Sequence, residues 1–160
     1  RRLGFGVDED TALVVDPDRH AASVVGAGAV TVLDARSAGQ ASALEGATLA
    51  MLSDGDTIDL LSLRVTPSAD KTLLTTPPSA GSRLETRLAS WLLALPVGAS
   101  HQQTIPIGDH AVVDFRFTRS EGAKVFSRPE APRRSSITLV DVKFSIRPFF
   151  QSKDHPGRHD

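Results

Sequence analysis

The stretch G-V-D-E-D-T-A-L-V-V-D, residues 6–16, places three adjacent acids directly before a short apolar run. Residues 11–15 are β-branched or aliphatic, and the following D-P-D-R, residues 16–19, combines turn formers with the fixed φ of proline. The stretch therefore predicts a strand that begins at an acidic turn and ends at a tight reversal. Local chemistry alone favours a solvated turn for Asp8, Glu9 and Asp10, because adjacent carboxylates repel one another.

Short apolar segments separated by turn signals continue from this stretch to about residue 65. Glycines at 26 and 28 interrupt one apolar run and permit a bulge or a close backbone approach. The small polar residues 34–45 predict a loop, and S-D-G-D at 53–56 predicts a turn. The predicted strands are residues 11–15, 22–25, 29–33, 48–52 and 57–65, the last with Ile58, Leu60 and Leu61 available for burial.

A proline-rich and glycine-rich segment, T-T-P-P-S-A-G-S at 75–82, predicts a linker. The residues after it repeat with helical spacing, and Ser82 and Pro96 are suitable as cap and stop. The expected buried stripe of this amphipathic helix consists of Leu84, Leu88, Trp91, Leu92 and Leu95.

Strict alternation of apolar and polar residues follows the predicted helix. It covers residues 113–118 and 140–147 and predicts half-buried strands of an antiparallel sheet. Gly122 and the segment 129–132 are the expected reversals between strands. The polar residues 151–160 are expected to be disordered.

Composition excludes several classes of protein. The 160 residues suffice for one ordinary domain, or for the end of one domain and a small second one. A net charge of -1 gives no electrostatic attraction to nucleic acid or to an anionic membrane, and no apolar run approaches the roughly 20 residues of a membrane span. Because cysteine is absent, disulfides, thiolate zinc sites and a cysteine nucleophile are excluded.

Common catalytic and cofactor motifs are also missing. The sequence contains no G-x-S-x-G, no G-x-G-x-x-G, no phosphate-binding loop and no H-E-x-x-H. Ser100 and His101 are adjacent, but sequence neighbours cannot present a nucleophile and its base to one another. We therefore predict no cofactor and no metal site, since the five histidines show no metal-binding spacing: His20, His101, His110, His155 and His159.

Three sequence motifs, in the same order along the chain, resemble motifs of the cyanophycinase family of serine peptidases. L-G-F-G-V-D-E-D-T-A at 3–12 is close to the family's L-G-I-G-I-D-E-D-T-A, and V-V-G-A-G-A-V-T-V at 24–32 is close to V-I-G-S-G-A-V-T-V. G-D-T-I-D-L at 55–60 is close to G-D-R-F-D-L. The resemblance covers about residues 1–65, which correspond to the final part of a family catalytic domain.

The resemblance implies an α/β fold, namely the C-terminal strands of a three-layer α/β/α domain related to class I glutamine amidotransferases. It also implies a Ser–His–Glu hydrolase that cleaves cyanophycin, the arginine-bearing poly-aspartate polymer, into β-Asp-Arg dipeptides. The glutamate of the family triad maps onto Glu9. The family's G-T-S-A-G-type serine elbow and D-Q-H-F-type histidine segment are absent from these 160 residues. The chain alone is therefore expected to be inactive.

The expected domain organisation follows from these observations. Residues 1–66 would be the end of the peptidase domain, 67–82 a linker, 83–150 an appended α+β or β-rich module, and 151–160 a disordered tail. The expected partner is the polymer substrate, with no nucleic acid and no membrane, in a cytoplasmic protein. The appended module is a candidate for packing on the catalytic domain, for homodimer formation or for polymer binding.

Two alternatives remain open from the sequence. One is a related peptidase of another specificity, such as an aspartyl dipeptidase. The other is a catalytically inactive relative in which the β-rich extension acts as a binding or assembly module. A serine elbow and a histidine upstream of Arg1 would separate the inactive relative from the enzymes.

Overall fold

The computed structural model describes residues 2–39, 43–79, 83–107, 111–128 and 136–150. The described residues form eleven strands and one helix. In chain order these are β1 Leu3–Val7, β2 Thr11–Asp16, β3 Ala21–Gly26, β4 Ala29–Asp34, β5 Leu44–Ser53, β6 Thr57–Asp59, β7 Val65–Thr66, β8 Thr72–Leu73, α1 Leu84–Ala94, β9 Ser100–Ile107, β10 Ala111–Ser127 and β11 Ile137–Phe150.

A seven-stranded antiparallel sheet, the large sheet, forms the centre of the molecule. Its strand order is β1-β4-β5-β11-β10-β8, and β9 also pairs with β10. The alternating residues of β10 and β11 pair over most of their length, with Phe117 opposite Phe144. The period-two pattern therefore predicted the existence of both strands, although each strand is longer than the alternating segments 113–118 and 140–147.

Four strands form a second, small antiparallel sheet in the order β2-β3-β6-β7. The chain first passes from the large sheet to the small sheet at the acidic turn, residues 8–10, which joins β1 to β2. It returns to the large sheet at the glycine turn, Gly26–Ala27–Gly28, which joins β3 to β4. The apolar run that these glycines interrupt therefore forms two strands, β3 in the small sheet and β4 in the large sheet. Gly26 has φ 142°, a backbone conformation that residues with a Cβ rarely adopt.

Two apolar cores lie on opposite faces of the large sheet. Alternate residues of β4 point to opposite sides, so that Val30 and Val32 face the small sheet while Ala29 faces the helix. The core between the sheets contains Ala22, Val24, Val30, Val32, Leu52 and Ile58. The core under the helix contains residues from β4, β5, α1, β10 and β11. The layers are therefore small sheet, large sheet and helix.

Helix α1, the single helix of the described residues, covers the core under the helix. Leu88 and Leu92 are buried, whereas Leu84, which the sequence placed in the same stripe, is 56% exposed. Arg83 precedes the helix and makes no side-chain capping bond, and the predicted cap Ser82 lies outside the described residues. At the other end Arg119 Nη1 donates to Leu95 O at 2.7 Å, which satisfies a carbonyl that has no helical partner.

A bulge in β10 and β11 corrects one prediction about reversals. Gly122 lies inside β10, where the pairing shifts between Arg119 and Lys124, and not in a reversal between strands. The facing Asp141 has φ 53°. The register of β11 shifts there, so that Leu139 and Val142 enter the core under the helix and Val140 does not. The expected reversal at 129–132 and the expected disordered tail at 151–160 lie outside the described residues.

The expected mixed α/β class is not supported. The described residues form a mostly antiparallel, β-rich fold with one helix, and they contain no helical layer on each side of a sheet. The predicted strand over 57–65 was also too long. Strand β6 ends at Asp59 because its carboxylate caps a turn that donates the N–H groups of Leu61 and Ser62, and Leu61 is exposed.

Strands from both sides of the predicted boundary belong to one sheet. Strand β11, from the predicted appended module, pairs with β5, from the predicted peptidase part. Leu139 lies opposite Met51, and Val142 lies opposite Leu49. All four of these side chains belong to the same buried core. The part of the chain between residues 67 and 82 therefore connects elements that share a sheet and a core.

Candidate functional site

The acidic turn, residues 8–10, lies where the chain leaves the large sheet for the small one. Asp10 adopts φ 53°, and the short side chain of aspartate tolerates this left-handed conformation better than most side chains. Glu9 lies directly before it, and all three acids are exposed. The turn therefore presents its carboxylates at the surface of a junction between two sheets.

Asp8 holds the turn to the start of β4. Its Oδ2 accepts the N–H of Ala29 at 3.0 Å, and its own N–H donates to Ala29 O at 3.1 Å. The carboxylate thus satisfies a backbone donor beside the glycine turn. Asp8 is a structural residue of the turn, although it is exposed.

Thr11 fixes the other side of the turn. Its Oγ1 accepts the N–H of Gly28 at 2.8 Å and donates to Glu9 O at 3.1 Å. The backbone of Glu9 is therefore tied, through one hydroxyl, to the glycine turn. Ala27 N–H also donates to Asp10 O at 2.9 Å.

The glycine turn is glycine because the acidic turn is so close. A Cβ added at Gly28 would lie 2.6 Å from Asp8 Cβ and 2.7 Å from Thr11 Oγ1. A Cβ at Gly26 would lie 2.3 Å from Asp10 O. Only glycine at positions 26 and 28 allows the two turns to make this contact.

The third motif of the sequence lies beside the second one. Its first two residues bind the backbone of Val24, because Val24 N–H donates to Asp56 O and Gly55 N–H donates to Val24 O, each at 2.9 Å. Asp54, directly before the third motif, accepts the N–H of Gly26 on its Oδ1 at 3.1 Å. The three sequence motifs, at residues 3–12, 24–32 and 55–60, thus form one contiguous region of the structure.

The carboxylate of Glu9 has no hydrogen-bond or ion-pair partner within the described residues. The carboxylate of Asp10 is equally unpaired there, whereas that of Asp8 is committed to Ala29. An exposed and unpaired carboxylate on a fixed backbone can accept the N–H of an incoming imidazole and favour its charged form. Geometry alone leaves Glu9 and Asp10 as two candidates for this role.

A buried polar cluster was not predicted from the sequence. Lys71 Nζ donates to Asp56 Oδ1 at 2.6 Å, to Ser53 Oγ at 2.7 Å and to Thr138 Oγ1 at 3.0 Å. The side chains of Lys71 and Asp56 are both completely buried. Burial is the largest influence on Lys71 and lowers its pKa, against the opposing effect of Asp56.

This buried cluster joins distant parts of the chain and is closed to solvent. Asp56 also accepts the N–H of Ser53 at 2.8 Å and that of Ser68 at 2.9 Å, and Thr138 donates to it at 2.5 Å. Every polar group of the ion pair is therefore satisfied internally, as a structural role requires. The only sequence signal was the aspartate of G-D-T-I-D-L, because Lys71 and Thr138 lie in segments without a motif.

The histidines considered in the sequence are not assembled into a site by the described structure. His101, in β9, stacks on the indole of Trp91 with ring centroids 3.9 Å apart. His20 occupies the turn after β2 with φ 49°. His110, His155 and His159 lie outside the described residues. His101 thus packs against the helix through Trp91.

Comparison of the chain with models of protein families, with curated proteins and with solved structures gave no match. Within the described ranges, no helix is both long enough and apolar enough to cross a membrane.

Proposed function

We propose that this chain is the C-terminal part of a cyanophycinase-like serine exopeptidase. In this proposal Glu9 orients a catalytic histidine that lies outside residues 1–160, and that histidine activates a serine nucleophile, also outside this sequence. The substrate is cyanophycin, and the products are β-Asp-Arg dipeptides.

The observation that carries the proposal is that the side chains of the acidic turn have different roles. Asp8 and Thr11 hold the turn against the glycine turn, while Glu9 keeps a free carboxylate on a backbone that Thr11 fixes. The resemblance in sequence selects Glu9 over Asp10, the other free carboxylate. Asp8, Thr11 and Gly28 thus have structural roles in the motifs that resemble the family, and the two free carboxylates, Glu9 and Asp10, include the triad position.

The chemistry of the proposed triad follows from charge. When the histidine takes the proton of the serine hydroxyl, its imidazole becomes positively charged. A carboxylate that accepts the other ring N–H stabilises this charge and keeps the ring in the reactive tautomer. Glu9 would supply this carboxylate from a rigid turn, so that little reorganisation is needed during attack.

The coding sequence upstream of Arg1 gives the first test. The proposal predicts a G-x-S-x-G-like elbow and, after it, a histidine in a D-Q-H-F-like segment. A continuous reading frame that contains neither would overturn the proposal and favour an inactive relative.

Kinetics of the full-length protein give the second test. We expect Glu9→Gln to lower kcat for β-Asp-Arg release by up to about 10⁴-fold, the scale seen when the acid of such a triad is replaced by an amide. Asp10→Asn is the matched control, because it removes the neighbouring free carboxylate, and it should retain most of the activity. Equal activity of the Glu9→Gln variant and the wild type would contradict the assignment.

A further inference from the structure

A cavity of about 240 Å³, the aromatic pocket, lies between helix α1 and the large sheet. Its walls are mostly apolar and include Leu84, Leu88, Trp91, Phe115, Phe117 and Phe144. The pocket opens to solvent, since Leu84 is 56% exposed and Ile105 is 41% exposed. Close packing normally fills such a space in a core. Here aromatic and aliphatic side chains border a space that a small molecule can enter.

Two polar side chains near this pocket have no hydrogen-bond or ion-pair partner within the described residues. The guanidinium of Arg87 makes a cation–π contact with Trp91, 5.3 Å from the ring centroid, but no ion pair with a described carboxylate. Arg87 is one helical turn from both Leu84 and Trp91, so it borders the apolar stripe that forms one wall. The amide of Gln103 lines the opposite, strand side of the pocket and makes no described hydrogen bond.

We infer that the aromatic pocket binds a small carboxylate with an apolar chain or ring. The apolar body would lie against Leu88 and the phenylalanines, and the carboxylate would lie near Arg87 and Gln103. A cation without a carboxylate partner and an amide without a hydrogen bond, both beside an apolar wall, favour an anionic amphiphile over a neutral one. The volume is below the roughly 300 to 1,000 Å³ of pockets for drug-sized ligands, which favours a short ligand.

The inferred site is independent of the peptidase proposal. It lies on the helix side of the large sheet, and none of its lining residues belongs to the acidic turn or to the glycine turn. Failure of either proposal therefore leaves the other unaffected.

Titration of the purified chain with octanoate, and in parallel with octan-1-ol, tests the inference. Trp91 is the sole tryptophan of the sequence and lines the pocket, so its fluorescence reports on occupancy directly. We expect a saturable change with octanoate and weaker binding of octan-1-ol, which has the same chain without the charge.

Two arginine variants separate the inferred site from binding elsewhere. Arg87→Gln should weaken octanoate about three- to fivefold, as expected for an exposed ion pair, and should leave octan-1-ol unchanged. Arg116→Gln is the matched control. Arg116 is exposed and lies on the face of β10 that points away from the pocket, whereas its neighbours Phe115 and Phe117 line the pocket. It should leave both affinities unchanged.

Three results would overturn the inference. The first is the absence of a saturable Trp91 response to either ligand. The second is equal weakening of octanoate by the Arg87 and Arg116 variants, which would indicate nonspecific charge effects. The third is concentration-dependent dimerisation that Leu84→Ser abolishes, measured by light scattering, together with no octanoate response, which would assign the pocket to a second copy of the chain.

Discussion

Single residues determine how the two turns meet beside Glu9. Asp8 and Thr11 each satisfy a backbone N–H of the neighbouring segment, and Gly28 leaves the space that both side chains need. These contacts give Glu9 a defined position although the residue itself is exposed. A change at Gly28 should therefore disturb the turn more than a change at an unobstructed glycine of the same strand region.

Gly28→Ala and Gly4→Ala test this difference. The added methyl at Gly28 meets Asp8 and Thr11 at 2.6 and 2.7 Å and should lower the free energy of unfolding by roughly 1–3 kcal/mol. Gly4 has nothing within 4 Å, so alanine there should leave stability unchanged or raise it by about 0.5–1 kcal/mol. Urea denaturation of both variants gives the comparison, and equal effects would contradict the described contact.

Asp59 should make stability depend on pH. The N–H and hydroxyl of Ser62 lower the pKa of this carboxyl below its ordinary value near 3.8. Because the folded chain holds the charged form, the stabilisation is present above about pH 4 and is lost as the pH falls through the lowered pKa. The stability difference between the wild type and Asp59→Asn should therefore shrink on acidification. A difference that is constant from neutral pH to below pH 3 would be inconsistent with this role.

At the scale of elements, the buried cluster of Lys71 and Asp56 joins three segments. Asp56 follows β5, Lys71 precedes β8, and Thr138 lies in β11. The cluster thus links the short connections beyond residue 53 to the centre of the large sheet. Its completeness matters, because a buried charge without its partner is strongly unfavourable.

Lys71→Met should lower the free energy of unfolding by about 3–5 kcal/mol, since it leaves the Asp56 carboxylate buried and without a countercharge. Arg36→Gln is the control ion-pair variant. It breaks the partly exposed pair of Arg36 with Asp34 and should cost at most about 1 kcal/mol. Denaturant titration compares the two, and a small effect of Lys71→Met would refute the structural importance of the cluster.

Elements with local signals could be predicted from the sequence, and elements that depend on distant contacts could not. Strict alternation predicted β10 and β11, and helical spacing predicted α1. The bulge at Asp141 depends on pairing across strands, which local composition does not encode. The end of β6 is different, because the Asp59 carboxylate caps a local turn, and the apolar pattern of the sequence was extended past that turn signal.

At the scale of the whole molecule, the large sheet depends on a strand pairing that the sequence did not indicate. The pairing of β5 with β11 joins the first half of the chain to the second. No periodicity specifies which strands become neighbours, and the expected α/β/α layers came from the resemblance. The candidate site was also predicted only in part. The resemblance to the family motif identified Glu9, but the hydrogen bond from Thr11 that holds the Glu9 backbone could be seen only in the structure.

Residues 1–66 alone should not unfold cooperatively. Without β11, one edge of β5 loses its backbone partners, and Leu49 and Met51 lose most of the core under the helix. Lys71, the partner of Asp56, is also missing. We expect poorly dispersed amide resonances in the NMR spectrum of this fragment. Co-expression with residues 67–150 should restore the dispersion. A well-dispersed spectrum with a sharp melt for residues 1–66 alone would show that the shared sheet is dispensable.

Proton NMR of the imidazole N–H groups in the full-length protein shows whether Glu9 orients a catalytic histidine. We expect a low-field resonance of a histidine N–H bound to a carboxylate in the wild type and in Asp10→Asn. In Glu9→Gln this resonance should be lost or shifted upfield. An unchanged low-field resonance in Glu9→Gln would show that Glu9 does not orient the histidine.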